Sequence, residues 1–440
     1  MINVLIPRVY KFLSKRTKKK GWNFSDAPDE RQEGKVDHQI SSILWALEFG
    51  FMSNQPTLRD VEEMTEDLGP WARQQVPDKI SDTTMDTESR RLDQEYLLEK
   101  LVLQVRDAHR SKMLKPVWLP CGVATVDGKN LATLDHDADG TAHKRSIENV
   151  KWHKKDDDSK KNYWLMPALR STLTSAEAKP CIYQMPIPPK TGESSLCEEF
   201  VNDLHRAYGR SNMFGIIDFD AGFTSLANAD HVDSLGYGYV FGLKGNQNEL
   251  FAEAKALLIP LTEDQEPEAQ TPWERRSGKQ IRRSLWRTDE MRGMENSVGV
   301  WKHLRQTWLV RQESKHTNGT IEVEDRYFLT SILWNYLKPL QIFNLVRGHW
   351  GIENDSYNSL DLQWKEDDAP WCTKGKAIWV LGLLRLMAYN VAQYVRKRRL
   401  RRKDEDGNWK APLPWRSTFK IIVKAIEMGA IAEPMSATIG

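Results

Sequence analysis

Apolar residues recur at helical spacing along Ile40 to Gly50, Thr57 to Leu68 and Leu92 to Ala108, with breaks at Pro56, Gly69–Pro70 and Pro77. That spacing gathers apolar side chains on one helix face, and proline and glycine mark the ends. A helical region is therefore expected up to about Lys115. From Val117 the pattern becomes strand-like, in Gly122 to Val126, Tyr163 to Leu169 and Cys181 to Ile187. A helix over Ser194 to Tyr208, a strand over Met213 to Phe219, a helix over Thr224 to Leu235, a strand over Tyr239 to Leu243 and a helix over Glu249 to Leu258 follow. The stretch from Pro260 to Leu333 then breaks the alternation, with β-formers in Ile281 to Trp286, Trp301 to Arg311 and Ile321 to Thr330. From Pro339 the spacing is helical again.

Three strands, a helix, then strand, helix, strand and helix, a β-rich interruption and a last helix form the order of elements in an RNase H-like domain. The expected fold is thus α/β, with an RNase H-like catalytic core (a mixed five-stranded sheet with helices), an N-terminal helical domain and a β-rich insertion. The expected divisions are 1–115 for the helical region, 116–259 and 334–400 for the two parts of the core, 260–333 for the insertion and 401–440 for a tail. A chain of 440 residues is long enough for two or three domains. The unusually charged segment Ala138 to Ser159 is expected to form an exposed hairpin or loop.

Composition narrows the class. Hydrophobic residues at 40% and charged residues at 28% fit a globular protein and exclude a disordered one. The longest apolar run, Ala377 to Ala392, is interrupted by Arg385 and is too short to span a bilayer, so no membrane partner is expected. The apolar start, Ile2 to Val9, runs into a lysine cluster without a cleavage-type segment, and no signal peptide is expected. Cys121, Cys181, Cys197 and Cys372 lie too far apart to suggest a zinc site or disulfide framework. A cytoplasmic location with reduced thiols follows.

Net charge is only +2, but it is unevenly spread. Arg8 to Lys20, Arg275 to Arg287 and Arg396 to Lys403 are basic segments far apart in sequence. Such clusters suit a polyanion wrapped across several parts of the molecule, or simply solvated surface. Many of the 17 tryptophans are expected to fill cores, although an aromatic ring also stacks on unpaired bases.

Three carboxylates carry the candidate chemistry. Asp127 is expected to end the strand Gly122 to Val126, where Gly128 opens a turn. Asp220 follows the apolar run Ile216–Ile217–Asp218–Phe219, again at a carboxyl-terminal strand end, where ligands of α/β sheets collect. Asp218 is its rival, since both point to one face of a strand. Glu353 sits in a helical projection from Pro339 to Lys365, with Ile342, Val346, Trp350, Tyr357, Leu360 and Trp364 on its side. A glutamate within an apolar stripe is desolvated and needs a cation or an ion-pair partner. Three convergent carboxylates suit two magnesium ions about 3.5–4 Å apart, which would activate water or a DNA 3′-hydroxyl and stabilise the leaving oxygen.

At these residues the chain resembles the DDE transposases of bacterial insertion sequences. Val126–Asp127–Gly128–Lys129 is similar to their first-aspartate "DGK" motif, and Asp220–Ala221 to the "DA" pair of the second block. Leu243–Lys244–Gly245–Asn246–Gln247 resembles the "LKGNQ" motif. His349–Trp350–Gly351–Ile352–Glu353–Asn354 resembles the "HWxIEN" block that carries the catalytic glutamate. Leu360–Asp361 and Glu366–Asp367 are similar to the continuation of that block, and the likeness runs from about Asp37 to Arg399.

The resemblance implies metal-dependent cleavage of DNA ends and strand transfer, with Asp127, Asp220 and Glu353 as catalytic metal ligands. It implies two Mg2+ ions, with Mn2+ as substitute, terminal inverted repeats and target DNA as partners, and a homodimer on DNA in the bacterial nucleoid. DNA binding or dimerisation would fall to residues 1–115. Lys129, Lys244, Asn246, His349 and the basic pair Arg282–Arg283 of the insertion are the implied DNA contacts. Trp286, Trp301 and Trp308 would either stack on a flipped base or fill the insertion's own core. The wider transposase group carries tyrosine, arginine, glutamate and lysine in series around the acid, but here those positions read Val346, His349, Glu353 and Leu360. Hairpin formation at the DNA end is therefore left open. An RNase H-like nuclease without transposition, and a domesticated transposase that only binds DNA, are the alternative readings.

Overall fold

In a computed structural model, residues 2–32, 34, 36–147, 161–276, 278–367 and 370–427 are described, and the segment before the first strand is helical. It contains α1 (Ile2–Arg16), α2 (Ile40–Met52), α3 (Leu58–Glu66), α4 (Pro70–Arg73), α5 (Asp82–Ser89) and α6 (Gln94–Arg110). Side chains of Thr57, Ser81 and Asp93 accept from the backbone amides of Asp60, Thr84 and Glu95, capping α3, α5 and α6. The expected helices coincide with α2, α3 and α6 to within about two residues, as assignments allow.

The strands are β1 (Val123–Leu134), β2 (His143–Ile147), β3 (Lys161–Leu173), β4 (Cys181–Pro186), β5 (Ile216–Phe219) and β6 (Gly238–Leu243). The β-rich segment adds β7 (Ala269–Gln270), β8 (Glu274–Arg276), β9 (Lys279–Thr288), a small separate pair β10 (Glu295–Asn296) and β11 (Gly299–Val300), then β12 (Gln306–Lys315) and β13 (Ile321–Thr330). Between strands lie α7 (Cys197–Tyr208), α8 (Leu226–Ser234) and α9 (Asn248–Asp264). After them come α10 (Pro339–Gly351), α11 (Asn358–Trp364), α12 (Gly375–Tyr394) and α13 (Trp415–Glu427).

One mixed sheet runs in the order β2-β3-β1-β5-β6-β13-β12-β9-β7, with β4 also on β3 and β8 also on β9. β1, β5 and β6 are parallel, and the other pairings are antiparallel. The sequence pattern implies a five-stranded sheet with the β-rich segment apart from it. Instead, β13 pairs with β6 from Tyr327↔Leu243 to Thr330↔Val240, and the β-rich strands extend the same sheet to eleven. The edge of β6 would otherwise leave backbone donors and acceptors without partners. A second departure concerns β1, which passes through Asp127, Gly128 and Lys129 without a turn because β3 pairs along it, Asp127 facing Arg170. A Cβ at Gly128 would meet only the carboxylate end of the exposed Glu193 side chain, so neither a turn nor tight packing demands glycine there.

Alternation along β1, β5 and β6 sends their apolar side chains into two clusters, and a third, around Leu131, Met166 and Trp379, lies at the far end of β1 and β3. Val123, Ile216 and Val240 pack with Ile342, Phe343 and Val346 of α10. Ala124, Val126, Ile217, Phe219, Tyr239 and Phe241 join the larger core shared with α2, α6 and α12. The helix Gly375–Arg399, formed by α12 and the turn after it, is long and apolar enough to cross a membrane, but its apolar window is entirely buried in the protein. Of the charged segment Ala138 to Ser159, His143 to Ile147 forms β2 on β3, and residues 148–160 lie outside the described set. In the tail, residues 428–440 lie outside it as well.

Candidate active site

The site begins with register. The parallel ladder of β1 and β5 ends on Val126↔Phe219, so Asp127 and Asp220 are the next residues along two neighbouring strands. Neighbouring strands lie about 4.8 Å apart, which sets the two carboxylates abreast. Side chains alternate along a strand, so Thr125 and Asp127 of β1, with Asp218 and Asp220 at β5, point to the face covered by α10. Asp127, Asp220, Lys244, His349 and Trp350 line one cleft of about 400 Å³.

The two neighbouring aspartates have different surroundings. Asp218 is buried, and its Oδ2 accepts from Thr125 Oγ1 at 3.2 Å and meets His349 Nδ1 at 3.0 Å. Asp220 keeps 48% of its side-chain surface, with Lys244 Nζ 3.7 Å from its Oδ1. Burial pulls the His349 imidazole pKa down, but the charge and hydrogen bond of Asp218, followed by the charges of Asp127 and Asp220, outweigh it and lift it to about 9. A cationic His349 thus stands among the aspartates of β1 and β5.

The loop after β5 is held from β6. Asn246 Nδ2 donates to the Ala221 carbonyl at 2.9 Å, and Gln247 Nε2 to the Thr224 carbonyl at 2.8 Å. Both residues follow Lys244, whose side chain is 71% exposed. The segment that follows β6 therefore fixes the backbone beside Asp220.

Glu353 falls in a π-helical turn, Ile352–Tyr357, between α10 and α11. Its side chain, with those of Asn354 and Asp355, lies outside the described set. The extra residue in such a turn rotates the following helix, so the single apolar stripe expected from Pro339 to Lys365 is two stripes. Ile342 and Val346 pack on one face of the sheet, whereas Leu360 and Trp364 belong to the larger core. Functional sites are frequent places for π-turns.

Several contacts that sequence reasoning did not foresee fasten this turn to β1. Tyr357 Oη donates to the Asp127 carbonyl at 3.3 Å. The Arg170 guanidinium, from β3, lies 5.5 Å from the Tyr357 ring centroid and donates twice to Glu366, at 2.9 and 3.0 Å. Arg385 of α12 reaches the same carboxylate at 3.7 Å, and all three charged residues are buried. Lys129 Nζ grips both oxygens of Asp361, at 2.5 and 2.6 Å, tying β1 to α11. The only hint in the sequence was that Asp361 and Glu366 continue the glutamate block.

The basic pair on β9 divides between two directions. Arg282 Nε donates to Glu313 Oε2 at 2.8 Å, and its guanidinium lies 4.7 Å from the Trp273 ring centroid. Arg283 is buried, 5.5 Å from the Trp350 ring centroid. Trp286, Trp301 and Trp308 are all buried, which corrects the base-stacking role considered for them. Trp286 Nε1 donates to the Gln265 carbonyl and Trp308 Nε1 to Gln306 Oε1, and the rings join the cores that the β-rich strands share with the rest of the sheet and its helices. Among the described residues no group of three or more histidine, cysteine, aspartate or glutamate side chains is arranged around a common metal position.

The Transposase DDE domain family matches residues 123–391, from the first residue of β1 into α12 and well over half of the chain. Two curated Escherichia coli (strain K12) proteins, "Putative protein YbfL" and "H repeat-associated putative transposase YhhI", are each 25% identical to it over 395 residues, 87% of this chain and 92% of theirs. With the DDE match spanning both strands that carry the paired aspartates and the helix that precedes Glu353, the chain belongs to the DDE transposase domain family.

Proposed function

We propose that the protein is a metal-dependent DNA transposase that cleaves the ends of an insertion sequence and transfers the released 3′ strand to target DNA, with Asp127, Asp220 and Glu353 as its catalytic acids. The observation that carries this reading is the register that sets Asp127 and Asp220 abreast at the end of the β1–β5 ladder, under the helix leading to Glu353. The strand order β4-β3-β1-β5-β6, antiparallel and then parallel, supports an RNase H-like core interrupted by residues 260–333.

The donor set fits hard divalent cations: carboxylate oxygens side by side, facing a cleft, with Asp218 engaged by Thr125 and His349 and so left out of the set. Two Mg2+ ions, or Mn2+, held by Asp127, Asp220 and Glu353 would activate the attacking water or 3′-hydroxyl and stabilise the leaving 3′-oxygen. The chain's own residues do the rest. Asn246 holds the loop of Asp220, and Tyr357 holds the Glu353 turn against β1. Lys244 and His349 face the cleft and meet the phosphate being cut. Lys129 and Arg282 act through their carboxylate partners Asp361 and Glu313, shaping the surface on which DNA lies. Residues 1–115 are assigned to DNA binding or dimerisation, and the active assembly is a homodimer on DNA.

The test is magnesium- or manganese-dependent cleavage of a duplex carrying the terminal repeats, comparing wild type with Asp127→Asn, Asp220→Asn and Glu353→Gln. End-specific cutting by wild type and none by the variants is the expected result. Cutting that survives in Glu353→Gln removes that residue from the site. Binding of the repeats without cutting by any form replaces the enzyme with a DNA-binding relic, and cutting without regard to the repeats replaces it with a non-transposing nuclease.

A further inference from the structure

A second groove, of about 510 Å³, lies across α10 from the catalytic cleft, and Trp350 contributes to the walls of both. The Trp350 ring has Arg326 of the cleft 4.2 Å from its centroid and Arg283 of the groove at 5.5 Å. The groove collects Arg275, Arg283, Arg347, Lys179 and Lys397. Two carboxylates stand against these five cations: Glu274, paired with Arg347 at 3.1 Å, and Glu177, paired with Arg401 at 3.2 Å. Among the described lining residues, five cationic side chains thus meet two carboxylates. Two of the basic segments of the sequence, Arg275 to Arg287 and Arg396 to Lys403, meet here although they lie far apart in the chain.

The catalytic cleft has the opposite balance. Asp127, Asp220, Glu324 and Asp325 line it against Lys244, Arg326 and His349. Such a surface gives a polyanion little attraction before cations bind, so affinity for a phosphate backbone has to come from elsewhere.

At the rim of the groove stands Trp118. Its side chain is 76% exposed, which is unusual for so large an apolar ring. Its backbone is in the left-handed region, at φ 70°, a strained conformation for a bulky residue. Gln341 of α10 holds it there by donating to the Trp118 carbonyl at 3.1 Å. An exposed aromatic ring beside a basic groove is the arrangement that takes a base by stacking while phosphates meet cations.

We propose that this groove is a second DNA-binding site, taking the phosphate backbone on Arg275, Arg347, Lys179 and Lys397, with the buried charge of Arg283 behind them, and an unpaired base on Trp118. The choice of DNA among polyanions rests on the transposase reading, whereas the charge of the groove does not. A DNA strand anchored here lies across α10 from the strand being cut, so the helix before Glu353 is clasped between two segments of DNA.

The test uses the full-length protein in a metal chelator with two labelled probes, a blunt duplex and the same duplex with a 3′ single-stranded extension. Arg275→Glu combined with Lys397→Glu is compared with Lys420→Glu combined with Lys424→Glu on α13, a matched charge reversal away from the groove. The groove variant is expected to bind both probes about tenfold or more weakly, with the slope of log K against log salt reduced by about two. Trp118→Ala is expected to bind the extended probe about tenfold more weakly and the blunt duplex as wild type does. Equal affinities and slopes for the groove and α13 variants overturn the proposal, and unchanged binding of the extended probe by Trp118→Ala removes the stacked base. Cleavage assayed on the same proteins separates the two readings. Groove-dependent binding without cutting leaves the groove standing alone, and normal cutting with no groove dependence leaves the transposase reading standing alone.

Discussion

Nδ1 of His349 lies 3.0 Å from Oδ2 of Asp218, and this contact separates the two aspartates at the end of β5 into different roles. Asp218, committed to the imidazole and to Thr125, is part of the interior. Asp220, two residues on, is the one left facing the cleft.

The pair makes stability depend on pH in a defined direction. Its folded-state value of about 9 is above the ordinary 6.5 of histidine, so the contribution is complete below about pH 6.5 and is lost as pH rises through about 9. In a metal chelator, the stability advantage of wild type over His349→Gln is therefore expected to be about 2–3 kcal/mol near pH 6 and to shrink steadily toward pH 10. Denaturant unfolding at several pH values measures it. A gap that stays constant over that range shows that His349 is neutral in the folded protein.

The same division predicts opposite phenotypes for two neighbouring substitutions. Asp218→Asn removes the charge that keeps the proton on buried His349, leaving a neutral imidazole beside an amide, and is expected to destabilise the protein by about 2–3 kcal/mol near pH 6. Asp220→Asn, half-exposed, is expected to change stability by less than about 1 kcal/mol while abolishing cleavage. Thermal unfolding and cleavage assayed together on both proteins check the pair. If Asp218→Asn is stable and inactive and Asp220→Asn is active, the two roles are exchanged.

Asn246 offers a test of positioning against DNA contact. Its amide donates to the Ala221 carbonyl, next to Asp220, and this single hydrogen bond is worth about 0.5–1.5 kcal/mol. Asn246→Ala is expected to slow cleavage by about tenfold to a hundredfold through misplacement of Asp220, with DNA affinity unchanged. A loss of affinity at an unchanged cleavage rate assigns Asn246 to the DNA instead.

Much of the plan was legible from local pattern. The spacing in Ile40 to Gly50 and Leu92 to Ala108 became α2 and α6, and the apolar run before Asp220 became β5. What depended on distant partners was not legible. Gly128 reads as a turn because glycine usually permits one, yet the pairing of Asp127 with Arg170 keeps β1 extended. The stripe around Glu353 reads as one helix face because the projection assumes a constant period, which the π-turn breaks. The two basic segments read as separate because nothing in the sequence says that β8, β9 and the turn after α12 approach one groove. The partnership of Arg170 with Glu366 spans 196 residues and leaves no local trace.

That partnership supplies the last prediction. Burial alone would raise the Glu366 pKa, but the charge and hydrogen bonds of Arg170, then the charge of Arg385, lower it. Its contribution to stability is thus present above about pH 4.5 and is lost as pH falls through the folded-state value. Glu366→Gln leaves two buried guanidinium groups facing each other without a counter-charge and is expected to cost about 3–5 kcal/mol. Replacing the group with apolar residues, as Arg170→Met, Glu366→Leu and Arg385→Leu together, removes the uncompensated charge and is expected to restore most of that stability. Cleavage should not return with it. Arg170 also lies against the ring of Tyr357, whose hydroxyl holds the Glu353 turn to Asp127, and methionine supplies no charge to that ring. Urea unfolding and end cleavage measured on both variants decide the matter. Recovery of stability and cleavage together reduces the buried triad to a packing element, whereas recovery of stability alone makes Arg170 a positioning residue for the Glu353 turn.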